Sequence, residues 1–269
     1  MRLVVAATAP FGARVLEGLA ARHEIELLVT RPDRPKGRGR RLQPTPAKEV
    51  AERLGIPVAQ PERLLETPGE APTIVVAAYG VLIPAALLEE RLWLNVHPSL
   101  LPRWRGAAPV ERAIMAGDAE TGVAIHRTTA ELDAGPIAAL RSFPIEPEDD
   151  AGAVFERAAD LAVELLDEVL PDPRFTPQPA EGVTYAEKIG AADRELDWSR
   201  PARELVDRVR ALSPHIGAWG EVGGRRLLVW RARPAGPGAA LVAGEVELLE
   251  VQPEGGRRMP ATEYLRGLR

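Results

Sequence analysis

The chain has 269 residues, of which 45% are hydrophobic and 27% charged, a balance that excludes disordered and fibrous classes and suits one large domain with a smaller companion. It has no cysteine, so disulfides, thiolate metal sites and a cysteine nucleophile are excluded, and a cytoplasmic location is expected. The net charge of −5 excludes attraction of nucleic acid by the average field, and no apolar run reaches the length of a signal sequence or membrane span, so no membrane partner is expected.

In chain order, Arg2 to Ala6 reads as a strand. Phe11, Val15, Leu16 and Leu19 recur at helical spacing between Phe11 and Ala21, and Ile25 to Val29 reads as the next strand. Thr45-Pro46 opens a helix to about Leu54, with threonine as N-cap and proline in the first turn. Thr73 to Ala78 and Leu92 to His97 are continuous apolar runs, as strands buried on both faces should be. Alternation of such runs with helical patterns predicts an α/β fold with a Rossmann-like, doubly wound, mostly parallel sheet. A helix from Pro109 to about Met115, strands over Thr121 to Thr128 and Pro136 to Phe143, and an amphipathic helix from Asp150 to Leu170 complete a first domain, residues 1–170. Four prolines between Pro171 and Pro179 predict an extended linker, placed at 171–200. A helix from Pro201 to Leu212 and strands near Arg226 to Trp230 and Glu245 to Val251 make a small β-rich domain, 201–269. The Pro/Gly/Ala-rich stretch after Trp230 leaves it short of strands.

If Leu92 to His97 is a strand, its period of two puts Asn95 and His97 on one side and Leu94 and Val96 on the other. Asn95 is the only asparagine in the chain and His97 one of four histidines. Alone, such a pair also suits a strand end whose polar side chains bond neighbouring backbone. The longer run Leu94-Asn95-Val96-His97-Pro98-Ser99-Leu100-Leu101-Pro102-Arg103-Trp104-Arg105-Gly106-Ala107-Ala108-Pro109, with Leu132-Asp133-Ala134-Gly135-Pro136 downstream, resembles the signature of the folate-dependent formyltransferases. Within that superfamily, Arg103 to Pro109 is similar to the methionyl-tRNA formyltransferases. The resemblance implies Asn95, His97 and Asp133 as the catalytic set and 10-formyltetrahydrofolate as formyl donor. It also implies a small second domain of the oligonucleotide-binding barrel type, here shortened. Ser99, Leu100, Leu101 and Pro102, together with the loop Tyr79-Gly80-Val81-Leu82-Ile83, carry over as folate-binding candidates, although that loop also suits plain strand-to-helix packing.

Formyl transfer to an amine needs no metal, and the sequence offers no ligand spacing for one. An α-amino group has a usable neutral fraction near pH 7, so the harder task is holding charge on the tetrahedral oxyanion. The Asn95 amide and a protonated His97 are suitable donors, and Asp133 could charge His97 or relay the departing proton. A rival hydrolase reading with Ser99 as nucleophile lacks the Gly-x-Ser-x-Gly elbow, and a serine before Leu-Leu-Pro more plainly caps a turn.

The stretch Arg31 to Arg41 holds six basic residues and one acid. Its glycines and prolines forbid a stable helix and predict a flexible loop; by itself it reads as a solvated charge run. It is similar to the tRNA-entry loop of the methionyl-tRNA formyltransferases, which implies Arg34, Lys36, Arg38, Arg40 and Arg41 as tRNA contacts, with Arg38 at the acceptor end. Ala7-Thr8-Ala9-Pro10-Phe11 departs from the Gly-Thr-Pro turn of that family, and no Gly-x-Gly-x-x-Gly follows the first strand, which weakens a dinucleotide reading. The expected activity is transfer of formyl from 10-formyltetrahydrofolate to methionyl initiator tRNA by a monomeric enzyme. Formylation of a small amine, such as glycinamide ribonucleotide or an amino sugar, and a non-catalytic RNA-binding relative are the alternatives.

Overall fold

The computed structural model describes residues 1–36 and 41–268. They form two compact units, the first of Met1–Arg105, Gly122–Ser142 and Phe155–Tyr185, the second of Gly106–Thr121, Phe143–Val154 and the remainder from Ala186.

The chain opens with β1 (Arg2–Ala7), buried at every residue after the first, and α1 (Pro10–Ala20). Helix α1 lies close over the sheet because residue 12 is glycine: a Cβ there would stand 2.2 Å from the carbonyl oxygen of Ala77. After β2 (Glu24–Val29) come β3 (Arg34–Lys36), β4 (Arg41–Gln43) and α2 (Pro46–Leu54). The Thr45 hydroxyl accepts the Lys48 N–H at 3.2 Å, the N-cap that the sequence implies. Then follow β5 (Val58–Ala59), β6 (Thr73–Ala77), α3 (Ala85–Glu90), β7 (Leu92–His97), β8 (Arg105–Gly106) and α4 (Pro109–Met115). Strands β9 (Glu120–Arg127) and β10 (Ile137–Pro144) precede the long helix α5 (Ala151–Val169) and the short β11 (Tyr185–Ala186).

Seven of these strands make one sheet in the order β10-β9-β7-β6-β1-β2-β5. From β5 to β7 every neighbouring pair is parallel, and β9 turns antiparallel against β7. This is the doubly wound, mostly parallel sheet read from the sequence, and its carboxyl edge is where such sheets bind ligands. Trp93, Leu94 and Val96 are buried in the middle of it.

The basic stretch differs from expectation. It is not wholly loop: β3 and β4 pair as an antiparallel hairpin with Arg34 opposite Gln43 and Lys36 opposite Arg41. Glycine and proline rule out a helix here, but a three-residue ladder tolerates Pro35. The entry to the hairpin is tied down, since Asp33 accepts Lys48 Nζ at 2.7 Å and Gln60 Nε2 at 2.7 Å. Those bonds hold the Asp33 carboxyl below the usual carboxylate range.

The second unit carries α6 (Ala202–Leu212), β12 (Ala218–Val222), β13 (Arg225–Pro234), β14 (Val242–Ala243), β15 (Val246–Pro253), β16 (Met259–Pro260) and α7 (Ala261–Arg266). Its antiparallel sheet runs β12-β13-β15-β14, with β16 also on β15. Leu205, Val209 and Leu212 of α6 pack with Leu227, Val229, Val246, Leu248 and Val251 of the sheet as its core. Register shifts around Arg231 bend β13, which runs four residues past the expected end at Trp230. Among the described residues no pairing joins β12 to β14 or β16, so the sheet is an open part-barrel. Segment Leu196–Trp198 packs onto it, with Leu196 in the core and the Trp198 indole N–H donating to the Glu221 carbonyl at 2.8 Å.

Candidate active site

Strand β7 ends at the carboxyl edge, and its alternation sends Leu94 and Val96 into the core while Asn95 and His97 emerge on the opposite side. Asp133 meets both. Asn95 Nδ2 donates to Asp133 Oδ1 at 3.2 Å, and His97 Nδ1 stands 3.6 Å from Asp133 Oδ2. The aspartate comes from the loop between β9 and β10, whose ends are clipped by the Arg127 N–H donating to the Pro136 carbonyl at 3.0 Å. Asp133 sits in the left-handed region at φ 48, one of three non-glycine residues there among those described, with Ala78 and Trp104. The return of the loop passes so close to Arg127 that a Cβ on Gly135 would lie 1.8 Å from the Arg127 carbonyl oxygen.

The partners of His97 fix its tautomer. Nε2 lies 2.8 Å from the Trp104 carbonyl, which can only accept, so Nε2 carries a proton, and Nδ1 is the nitrogen that faces Asp133. Burial pushes the imidazole below its ordinary pKa, against the opposing pull of Asp133 and the Trp104 bond. The lowered pKa favours the neutral imidazole near pH 7. Burial weighs against the protonated donor expected from sequence, because a strand residue beneath a covering turn pays a desolvation cost that no sequence pattern displays.

A second histidine, His126 of β9, was missed by sequence reasoning. It faces Asn95 in the antiparallel register and is 1% exposed. Its Nδ1–H donates to the Arg127 carbonyl at 3.0 Å, leaving Nε2 to accept from Asn95 Nδ2 at 3.0 Å. The amide of Asn95 is thus oriented from two sides, with nitrogen toward Asp133 and His126. The only signal available was a histidine in the strand predicted over Thr121 to Thr128; which strand it would pair with was not legible.

Ser99 is fully buried, and its hydroxyl donates to the Arg103 carbonyl at 2.7 Å. It caps the turn after β7, which removes the hydrolase reading. Of the other folate-binding candidates, Leu101 is buried beside the cis peptide to Pro102, and Leu100 and Pro102 are half-buried. In the loop after β6, Tyr79 and Ile83 are buried and Val81 half-buried, whereas Gly80 is exposed and Leu82 is 86% exposed. The Tyr79 carbonyl accepts the Thr8 hydroxyl at 2.9 Å, and burial raises the Tyr79 phenol pKa. Arg34 is exposed on β3; Lys36 and Arg41 are placed by their backbones on the two hairpin strands; Arg38 and Arg40 lie outside the described residues. No helix among the described residues is long and apolar enough to cross a membrane.

A doubly wound, mostly parallel sheet followed by an open antiparallel part-barrel is the architecture of the formyl transferase class. The formyl transferase family model matches residues 1–170, and the model of the formyl transferase C-terminal domain matches residues 188–269. A methionyl-tRNA formyltransferase of Paracoccus denitrificans is 45% identical, over 100% of this chain and 98% of that protein. The chain belongs to the methionyl-tRNA formyltransferase family. Among solved structures, a methionyl-tRNA formyltransferase from Clostridium thermocellum has a TM-score of 0.63 at 17% identity, covering 92% of this chain and 98% of that one. HypX from Aquifex aeolicus in complex with tetrahydrofolic acid has a TM-score of 0.68 at 21% identity, covering 98% of this chain but 46% of that chain. These two likenesses speak for the fold.

Proposed function

We propose that the protein transfers the formyl group of 10-formyltetrahydrofolate to the α-amino group of methionyl initiator tRNA. The observation that carries this reading is the meeting of Asn95, His97 and Asp133 within hydrogen-bond or ion-pair reach at the carboxyl edge.

The neutral amine attacks the formyl carbon. Asn95 Nδ2, whose two N–H groups are held by Asp133 and His126 before substrate binds, exchanges one of those bonds to donate to the oxygen that becomes negative. The amine must shed a proton as the C–N bond forms. Asp133 is placed to take it, directly or through a water, and the Nδ1 lone pair of neutral His97 lies next in line. Collapse of the intermediate breaks the bond to the folate N10, which leaves with a proton returned from the same pair. Low His97 basicity suits this shuttle, because a buried imidazolium releases its proton readily.

The exposed and half-buried candidates Gly80, Val81, Leu82, Leu100 and Pro102 are offered as the folate-contacting set, with Tyr79, Ile83, Ser99 and Leu101 shaping the walls beneath them. The basic hairpin, through Arg34, Lys36, Arg38, Arg40 and Arg41, is offered as the acceptor-end contact. Residues 1–170 would do the chemistry, 171–200 connect, and 201–269 bind tRNA. The test is formyl transfer from 10-formyltetrahydrofolate to methionyl initiator tRNA, methionyl elongator tRNA and glycinamide ribonucleotide in parallel. Transfer to the initiator alone is expected; transfer only to the small amine overturns the tRNA assignment.

A further inference from the structure

We infer that the proline-rich segment 176–184 is a strap that positions the active-site aspartate, and that Gln178 is its positioning residue. This rests on the role proposed for Asp133.

The segment is anchored at both ends to the elements that carry the site. At its start, Thr176 and Ile137 exchange backbone hydrogen bonds at 2.8 and 2.9 Å, fixing it to the first residue of β10. At its end, the Thr184 hydroxyl accepts the Trp104 N–H at 2.9 Å and the Thr184 carbonyl accepts the Arg105 N–H at 2.9 Å. Trp104 is the residue whose carbonyl holds His97. Between these anchors Gln178 Nε2 donates to the carbonyls of Asp133 at 2.7 Å and Gly135 at 2.8 Å. Both bonds reach the backbone of the loop on either side of Ala134, so they fix the loop without touching the carboxylate.

The orientation of the Gln178 amide is itself determined. Its Oε1 accepts from Arg105 Nε at 3.1 Å and Arg105 Nη2 at 2.7 Å, and Arg105 is 7% exposed. A guanidinium can only donate, so the amide cannot flip without placing its own N–H groups against it. Pro177 and Pro179 flank Gln178. The first fixes its own φ and the second holds Gln178 in extended backbone, so little conformational freedom remains to be lost when the strap docks. A non-glycine residue at φ 48 keeps that conformation only where its surroundings hold it. The strap is one of those holds.

The replacement Gln178→Glu keeps the acceptor for Arg105 and removes both donors to the loop. The expected result is a kcat lowered about 10²-fold, as for an ångström-scale misplacement, with KM for tRNA and folate within about twofold. Because Asn95 is the only asparagine, protein labelled with ¹⁵N-asparagine gives one side-chain amide nitrogen, whose pair of N–H correlations, here the Asn95 signal, reports the Asn95–Asp133 bond without substrate. That signal should move in Gln178→Glu and Gln178→Ala in the direction taken in Asp133→Ala. An unmoved Asn95 signal with wild-type kcat in both variants overturns the proposal, even if Tm falls. Wild-type protein that formylates no acceptor while its Asn95 signal still responds to Gln178 would sink the functional reading and leave the strap standing.

Discussion

Two kinds of support meet at Asp133. Asn95 and His97 are carried by β7, a strand buried on both faces and paired along its length with β6 and β9. Asp133 is carried by a loop that owes its shape to a glycine, two clipped ends and a glutamine from far along the chain. The strand can absorb a packing defect as lost stability while its end keeps its aim. The loop has no such reserve, so the same size of disturbance appears as lost alignment. Core and site failures should therefore separate experimentally.

The largest effect is expected from Asn95→Ala, which removes the amide donor and should lower kcat by about 10² to 10³ while Tm stays close to wild type. Retained turnover would remove the oxyanion role. Gly135→Ala should come next, with kcat down at least about 10-fold, since the added carbon cannot coexist with the Arg127 carbonyl and the loop must shift. An unchanged kcat there would show that Asp133 is held by something other than its loop. Gly12→Ala is the control on the strand side. Overpacking against Ala77 should lower unfolding stability by about 1 to 3 kcal/mol in urea titration and leave kcat nearly intact. If kcat collapsed instead, the contrast between strand and loop would be lost.

A gentler probe is pH. The folded-state pKa of His97 is depressed, so between that value and the ordinary value near 6.5 the unfolded chain binds the extra proton. Stability should be fully present above about pH 6.5 and fall, by up to about 1.4 kcal/mol per unit, as the pH drops through that window. His97→Phe should flatten this slope in urea midpoints taken between pH 7 and 5; an identical slope would assign it elsewhere. The smallest effect belongs to Arg34→Ala, where loss of one phosphate contact should reduce the salt dependence of tRNA use by about one unit of slope. Equal salt dependence in the two proteins would place the hairpin outside the interface.

What the sequence disclosed follows the same division. The side-sharing of Asn95 and His97 was legible because strand alternation is a local rule. So were α1, α2 and the parallel sheet, whose apolar periods leave few readings. Asp133 was legible only through resemblance of its motif, since a loop residue gains its neighbours from tertiary folding. Gln178 read as part of a featureless proline-rich connector, and His126 as one more strand residue. Strands β14 and β16 escaped notice because two residues are too few to show a period. The depressed pKa of His97 depends on its burial, a property of the packed molecule.

The unclosed sheet of the second unit raises a question of self-association, because unpaired strand edges attract strands from other chains. Here the edges are poor templates. The outer side of β12 is taken by Glu195–Leu196, whose Leu196 N–H donates to the Trp219 carbonyl at 2.8 Å. On the other side β14 and β16 offer two residues each, and Pro234, Pro253 and Pro260 end β13, β15 and β16. A sheet left open in this way keeps a concave face without offering a length of backbone on which a fibril could grow.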